Sequence, residues 1–173
     1  MTNETNPRIY AACLASYNNG YLHGAWIDAT QGADDIRSEI AEMLKASPIE
    51  GAEEFAIHDY EGFEDVSIGE YQGIDSVARI AAFIGEHGAL GAAVLEYCDG
   101  DMDQAETTMS DGYIGEYPSL PDYMEELTTE CAEIPEAVRY YIDWEAMARD
   151  AVLGGDLFVI ETGYDQVHVF SGR

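Results

Sequence analysis

The chain has 173 residues, with 35 acids against 7 bases and a formal net charge of −28. That balance opposes binding to nucleic acid, to nucleotides and to anionic membrane surfaces, which all carry the same sign. Because 47% of the residues are hydrophobic, and twelve Tyr, five Phe and two Trp are among them, the composition fits a folded chain and excludes an acidic disordered tail.

Arg8 to Tyr17, RIYAACLASY, reads as a strand whose small residues allow partial burial on both faces. Asn18, Asn19 and Gly20 supply the positive-φ residues of a tight turn, and Tyr21 to Asp28 returns as a second strand with Leu22 and Trp26 on one pleat face. Asp34 and Asp35 sit where a helix N-terminus favours negative charge, followed by Ile36, Ile40, Met43 and Leu44 at the spacing of a buried stripe. Ser47 and Pro48 close that helix. Glu53 to Tyr60 alternates Phe55 and Ile57 inward against Glu54, Ala56 and His58 outward, a third strand.

Beyond Gly62 the chain becomes helical. Asp75 or Ser76 caps a helix carrying Val77, Ile80, Ala81, Phe83 and Ile84, and a second run, Ala89 to Tyr97, follows Gly85, His87 and Gly88. Asp99 to Asp111 is an acid-rich connection with a short helix over Asp101 to Thr107. Tyr113 to Tyr117 is a strand. Ser119, Leu120 and Pro121 open a helix that projects Asp122, Glu125, Glu126, Thr129 and Glu133 over neighbouring turns, and Pro135 opens a shorter one. Asp143 caps Trp144 to Leu153, whose apolar face is Ala146, Met147, Val152 and Leu153; Gly154 and Gly155 stop it. LFVIET and QVHVF are the last two strands, joined about Gly163, Tyr164 and Asp165. The expected fold is α+β in three small lobes: an N-terminal α+β lobe over 1–62, a helical middle lobe over 63–110 and a mixed C-terminal lobe over 111–173.

Motifs for chemistry fail one by one. Asp99, Asp101 and Asp103 open like a calcium loop, but Gln104 stands where the loop needs Gly and Ser110 where it needs a bidentate Glu. His23, His58, His87 and His168 lie in different elements without paired spacing for a metal. Cys13, Cys98 and Cys131 are far apart and lack a CxxC, so they read as reduced thiols of a cytoplasmic protein. Ser16 and Ser110 lack a GxSxG context, and Gly85, Gly88 and Gly91 lack GxGxxG spacing. No apolar run approaches the ~18 residues of a membrane span, and MTNETNPRIY has no signal-peptide pattern. The expectation is therefore no catalytic residues, no metal and no cofactor.

Charge itself is the informative feature. Duplex DNA carries about one negative charge per 1.7 Å of axis, so the chain matches roughly 48 Å of duplex. A compact globule of this length has a radius of gyration of about 16 Å, and an elongated, multi-lobed shape relieves the self-repulsion of so much charge. Recognition of a basic, nucleic-acid-binding protein explains the imbalance. Salt adaptation competes with it, since Lys45 is the single lysine, and a divalent-metal-dependent enzyme is a further alternative.

RIYAACLASYNNGYLHGAWIDA, EIAEMLKASP, GAEEFAIHDYEGF, IPEAVRYYIDWEAMARD and LGGDLFVIETGYDQVHVF, in that order, resemble the ArdA family of antirestriction proteins from Arg8 to Phe170. The resemblance implies an elongated, three-lobed homodimer, carried by mobile genetic elements, whose carboxylates mimic bent duplex DNA. It implies occupation of the DNA-binding site of type I restriction-modification enzymes, at the methyltransferase core, with no binding of nucleic acid or membrane. It also places an antirestriction segment over Glu130 to Asp150, making Tyr140, Tyr141 and Trp144 candidates for the dimer interface or the core. The carboxylates expected to meet the partner are Asp34, Asp35, Glu39 and Glu42, then Glu61, Glu64, Asp65, Glu70 and Asp75, then Asp99, Asp101, Asp103, Glu106 and Asp111, and finally Asp122, Glu125, Glu126, Glu130, Glu133 and Glu136.

Overall fold

The computed structural model describes residues 5–172, which form an α+β fold of two three-stranded antiparallel sheets and seven α-helices. The chain divides into two compact units, one ending at Ala92 and the other beginning at Ala93.

The first unit is built on β1 (Arg8–Cys13), the central strand of a sheet ordered β2-β1-β3. Its small residues let it be covered: Ile9, Ala11, Ala12 and Cys13 are all buried. The strand stops sooner than its apolar run suggests. Leu14 to Tyr17 belong to a short helix, α1 (Leu14–Asn18), because the Leu14 N–H donates to the Glu54 carbonyl at 3.0 Å and the Cys13 side chain accepts the N–H of Ser16 at 3.5 Å. Of Asn18, Asn19 and Gly20, only Gly20 has positive φ, at 82°, since the turn is a helix end and the N–H groups of Asn19, Gly20 and Tyr21 return to the carbonyls of Ser16 and Tyr17. The expected hairpin is present with this longer connection. Its return strand, β2 (Gly24–Asp28), starts three residues late, leaving Leu22 outside it at 93% exposure and turning Ile27 inward instead of Trp26. Gly24 is required there, because a Cβ would lie 2.5 Å from the Ala11 carbonyl oxygen.

A 3-10 turn (Ala29–Gln31) leads to α2 (Ala33–Lys45), with Asp34 and Asp35 in its first turn and Ile36, Ile40 and Met43 buried, as the apolar spacing requires. In β3 (Phe55–Glu61) the strict alternation fails. The register against β1 passes from Tyr10 opposite Asp59 to Ala11 opposite Ile57, so His58 is an extra residue, and Ala56 and Ile57 are both buried. The last element of this unit is α3 (Ile74–Tyr97), which continues across Ala92 and is broken at Gly88, where φ 57° and ψ −142° are open to glycine. Asp75 lies within its first turn rather than at a cap, and its side chain forms an ion pair with Arg37 of α2. Among the described helices α3 has the length and mean hydropathy, 1.2 over its best window, of a membrane span. Val77, Ile80, Ala81, Phe83 and Ile84 are nevertheless core residues, which accounts for much of that hydropathy.

In the second unit α4 (Met102–Thr107) is capped by Asp101, whose side chain accepts the Gln104 N–H at 3.0 Å, and runs into a π-helical segment, Thr108–Gly112. There follow β4 (Tyr113–Tyr117), α5 (Leu120–Cys131), α6 (Glu136–Arg139), α7 (Trp144–Leu153), β5 (Leu157–Gly163) and β6 (Gln166–Ser171), with sheet order β4-β6-β5. Ser119 and Asp143 cap α5 and α7 through the N–H groups of Asp122 and Ala146. Leu120, Tyr123 and Met124 of α5, Ala148 of α7 and Val169 of β6 make a core, with Trp144 and Ala151 packed against it. The buried face of α7 is therefore Trp144, Ala148 and Ala151, four and three residues apart. Met147, Val152 and Leu153, expected inside, are exposed. Phe170, one residue on from Val169, points to the opposite sheet face; it stacks on Phe158 at 4.9 Å, and Tyr97 stacks on Phe158 at 4.3 Å.

Candidate partner-binding surface

Every candidate carboxylate is exposed except Glu61 and Glu125, which are half-buried. Those two meet arginines: Glu61 pairs with Arg8, and Glu125 with Arg139 at 3.5 Å. Arg37 lies between Asp34, at 3.3 Å, and Asp75. Three of the chain's few cations are thus already engaged by acids. The negative potential around the remaining carboxylates is opposed by little positive charge.

The helices set the spacing. On α2, Asp35, Glu39 and Glu42 recur four and three residues apart and share a face beside the buried stripe. On α5, Asp122, Glu126 and Glu130 recur every four residues, on the side away from Tyr123 and Met124. Glu133 does not extend this row, because α5 ends at Cys131 and Ala132 is its cap. Along either row one charge recurs per roughly 5 to 6 Å of axis, against about 3.4 Å for one DNA strand. No single helix therefore has the charge density of a DNA strand.

Glu64, Asp65 and Glu70 lie between β3 and α3; Asp99 and Asp101 precede α4, Asp103 and Glu106 lie on it, Asp111 is in the π segment and Glu136 starts α6. Exposure does not distinguish these from other acids that the sequence reading passed over: Glu53, Glu54, Asp59, Glu116, Glu145 and Glu161 are exposed as well. Glu116 and Glu161 sit on the outer strands of the second sheet, opposite His168 and Val167. The alternation of their strands was the signal for them.

Buried polar groups are satisfied rather than poised. Burial raises the phenol pKa of Tyr113, Tyr117 and Tyr123, and nearby carboxylates, Glu116 for Tyr113 and Glu126 for the other two, push it further. Burial tends to raise the Cys13 thiol, but hydrogen bonds from Ser16 and Ser47 outweigh it and leave the pKa lowered. Cys13 has no exposed surface from which to attack a substrate. Cys131 is exposed and reduced. Among the described residues no group of three or more His, Cys, Asp or Glu is placed to hold a metal ion. Tyr140 and Tyr141, just after α6, are 87% and 86% exposed and stand outside the core, whereas Trp144 packs against it.

A family model described as Antirestriction protein (ArdA) matches residues 9–166. No curated protein matches the chain.

Proposed function

The chain belongs to the ArdA family of antirestriction proteins, and we propose that it inhibits type I restriction-modification enzymes by offering carboxylates where DNA would offer phosphates. The observation that carries this reading is the exposure of the acid rows on α2 and α5 together with the engagement of Arg8, Arg37 and Arg139 by acids. A methyltransferase core holds DNA largely through Lys and Arg contacts to phosphate, which position the duplex without reading its bases. Carboxylates meeting the same cations compete with DNA whatever its sequence, so one inhibitor serves against enzymes with different targets. No bond is made or broken by the inhibitor. The sparser spacing of each row means that acids from several elements must contribute, and the contribution of any one is small.

The three-lobed organisation, cytoplasmic location and homodimeric assembly belong to this proposal. Exposed Val138, Tyr140 and Tyr141 support assembly, since they form an apolar stretch that a second copy would cover.

The test is a titration of the protein into a purified type I methyltransferase carrying labelled DNA, paired with direct binding measurements at several salt concentrations. The expected result is displacement of the DNA, with the protein's affinity for the enzyme falling as salt rises. Tight binding of the protein to the DNA itself, or no displacement at low salt, overturns the reading.

A further inference from the structure

The second unit contains a cleft of about 780 Å³ that includes Tyr97, Asp103, Asp111 and Phe158 in its walls. Three helices end on it. Tyr97 is the last residue of α3, Thr107 is the last of α4 where the π segment takes over, and Val152 and Gly155 flank the end of α7. None of these helices carries a basic residue in its last turn. A helix C-terminus presents partial negative charge and favours a cation within that turn. Asp103 and Asp111 add two carboxylates, and no base is among the described residues of the cleft.

An aromatic plane completes the wall. The Tyr97 ring is 53% exposed and lies parallel to Phe158, with 3° between the planes, while Phe158 rests in turn on Phe170. The stack fixes the plane of the Tyr97 ring. A guanidinium is planar, stacks on such a ring and presents a fork of N–H donors to carboxylates, whereas an ammonium is a compact, strongly hydrated charge that uses neither feature as well.

The geometry points to this cleft as the receptor for an arginine side chain of the basic partner. The inference rests on the reading that the partner is a DNA-binding enzyme, and it gives one part of a distributed surface a specific contact. An arginine that would otherwise hold a phosphate enters between Asp103 and Asp111 and lies against Tyr97.

The test uses the full chain, isotopically labelled, and two blocked tripeptides, Gly-Arg-Gly and Gly-Lys-Gly. The arginine peptide is expected to shift the resonances of Tyr97, Gly112 and Gly155, and to bind several-fold more tightly than the lysine peptide. The double variant Asp103→Asn/Asp111→Asn should weaken arginine binding about tenfold, and Tyr97→Leu should reduce the preference for arginine. A control, Asp35→Asn/Glu42→Gln, removes the same charge elsewhere and should leave peptide binding within about twofold. The exposed acids leave the fold intact, which the spectra check directly. Shifts confined to other residues, equal binding of the two peptides, or an equal loss in the control overturn the cleft assignment. If that happens while DNA is still displaced from the methyltransferase, the cleft fails and the mimicry stands. If the arginine peptide binds as expected but no DNA is displaced, the cleft is a guanidinium site and the partner reading fails.

Discussion

His168 is the buried titratable group whose surroundings are most completely specified. Its Nδ1 is 2.9 Å from the Tyr113 hydroxyl, its Nε2 is 2.9 Å from the Thr162 hydroxyl, and Glu116 approaches to 3.9 Å. Burial lowers its pKa, partly offset by Glu116. The folded state therefore binds fewer protons than the unfolded chain below pH ~6.5, and stability falls as pH drops through that value toward the lower folded pKa. In urea unfolding between pH 7.5 and 5.5, His168→Gln should flatten this slope; an unchanged slope assigns it to other groups. Removing both ring nitrogens in His168→Leu should cost about 1 to 3 kcal/mol, because buried hydroxyls lose their partners. None of this environment was legible in QVHVF, where alternation alone places His168 on a sheet face. The hydroxyls come from β4 and β5, 55 and 6 residues away, and only strand register brings them together. Cys13 is similar: the sequence places it at the end of an apolar strand, but the hydroxyl of Ser47, 3.5 Å away, arrives from beyond α2.

At the scale of elements, the caps were legible because a cap is a local exchange between a side chain and an N–H two or three residues on. Asp101, Ser119 and Asp143 all act where the sequence reading puts a helix start. The faces were less legible wherever apolar residues surround a helix. In Trp144 to Leu153 both Trp144-Ala148-Ala151 and Met147-Val152-Leu153 are available as apolar sets. Contact with α5 and the sheet selects the first, which the sequence of α7 alone does not reveal. The bulge at His58 has the same origin, since it exists only in the register between β1 and β3. Two substitutions on α7 separate local from tertiary contributions. Asp143→Ala removes the cap and should cost about 1 kcal/mol. Leu153→Gln, at a residue 77% exposed, should change stability by no more than about 0.5 kcal/mol in the same denaturation experiment. A large loss from Leu153→Gln would mean that this side chain is covered, as it would be by a second copy of the chain.

For the whole molecule, charge sets binding and folding against each other. Like charges four residues apart, such as Glu126 and Glu130, destabilise a helix by roughly 0.2 to 0.5 kcal/mol, and a formal charge of −28 adds long-range repulsion. The combined variant Glu39→Lys, Glu42→Lys, Glu126→Lys and Glu130→Lys changes two charges at each of four exposed positions, taking the formal charge from −28 to −20. Glu42 and Glu130 lie near helix C-termini, where a cation is favoured. Thermal stability should therefore be unchanged or higher. Affinity for the methyltransferase should fall about tenfold or more, while any one of the four changes alone should cost no more than about fivefold, the scale of an exposed ion pair. Folding that becomes dependent on added salt, with partner affinity intact, would instead identify the acids as an adaptation to salt. Lower affinity with undiminished stability requires that these carboxylates act on the partner and not on the fold.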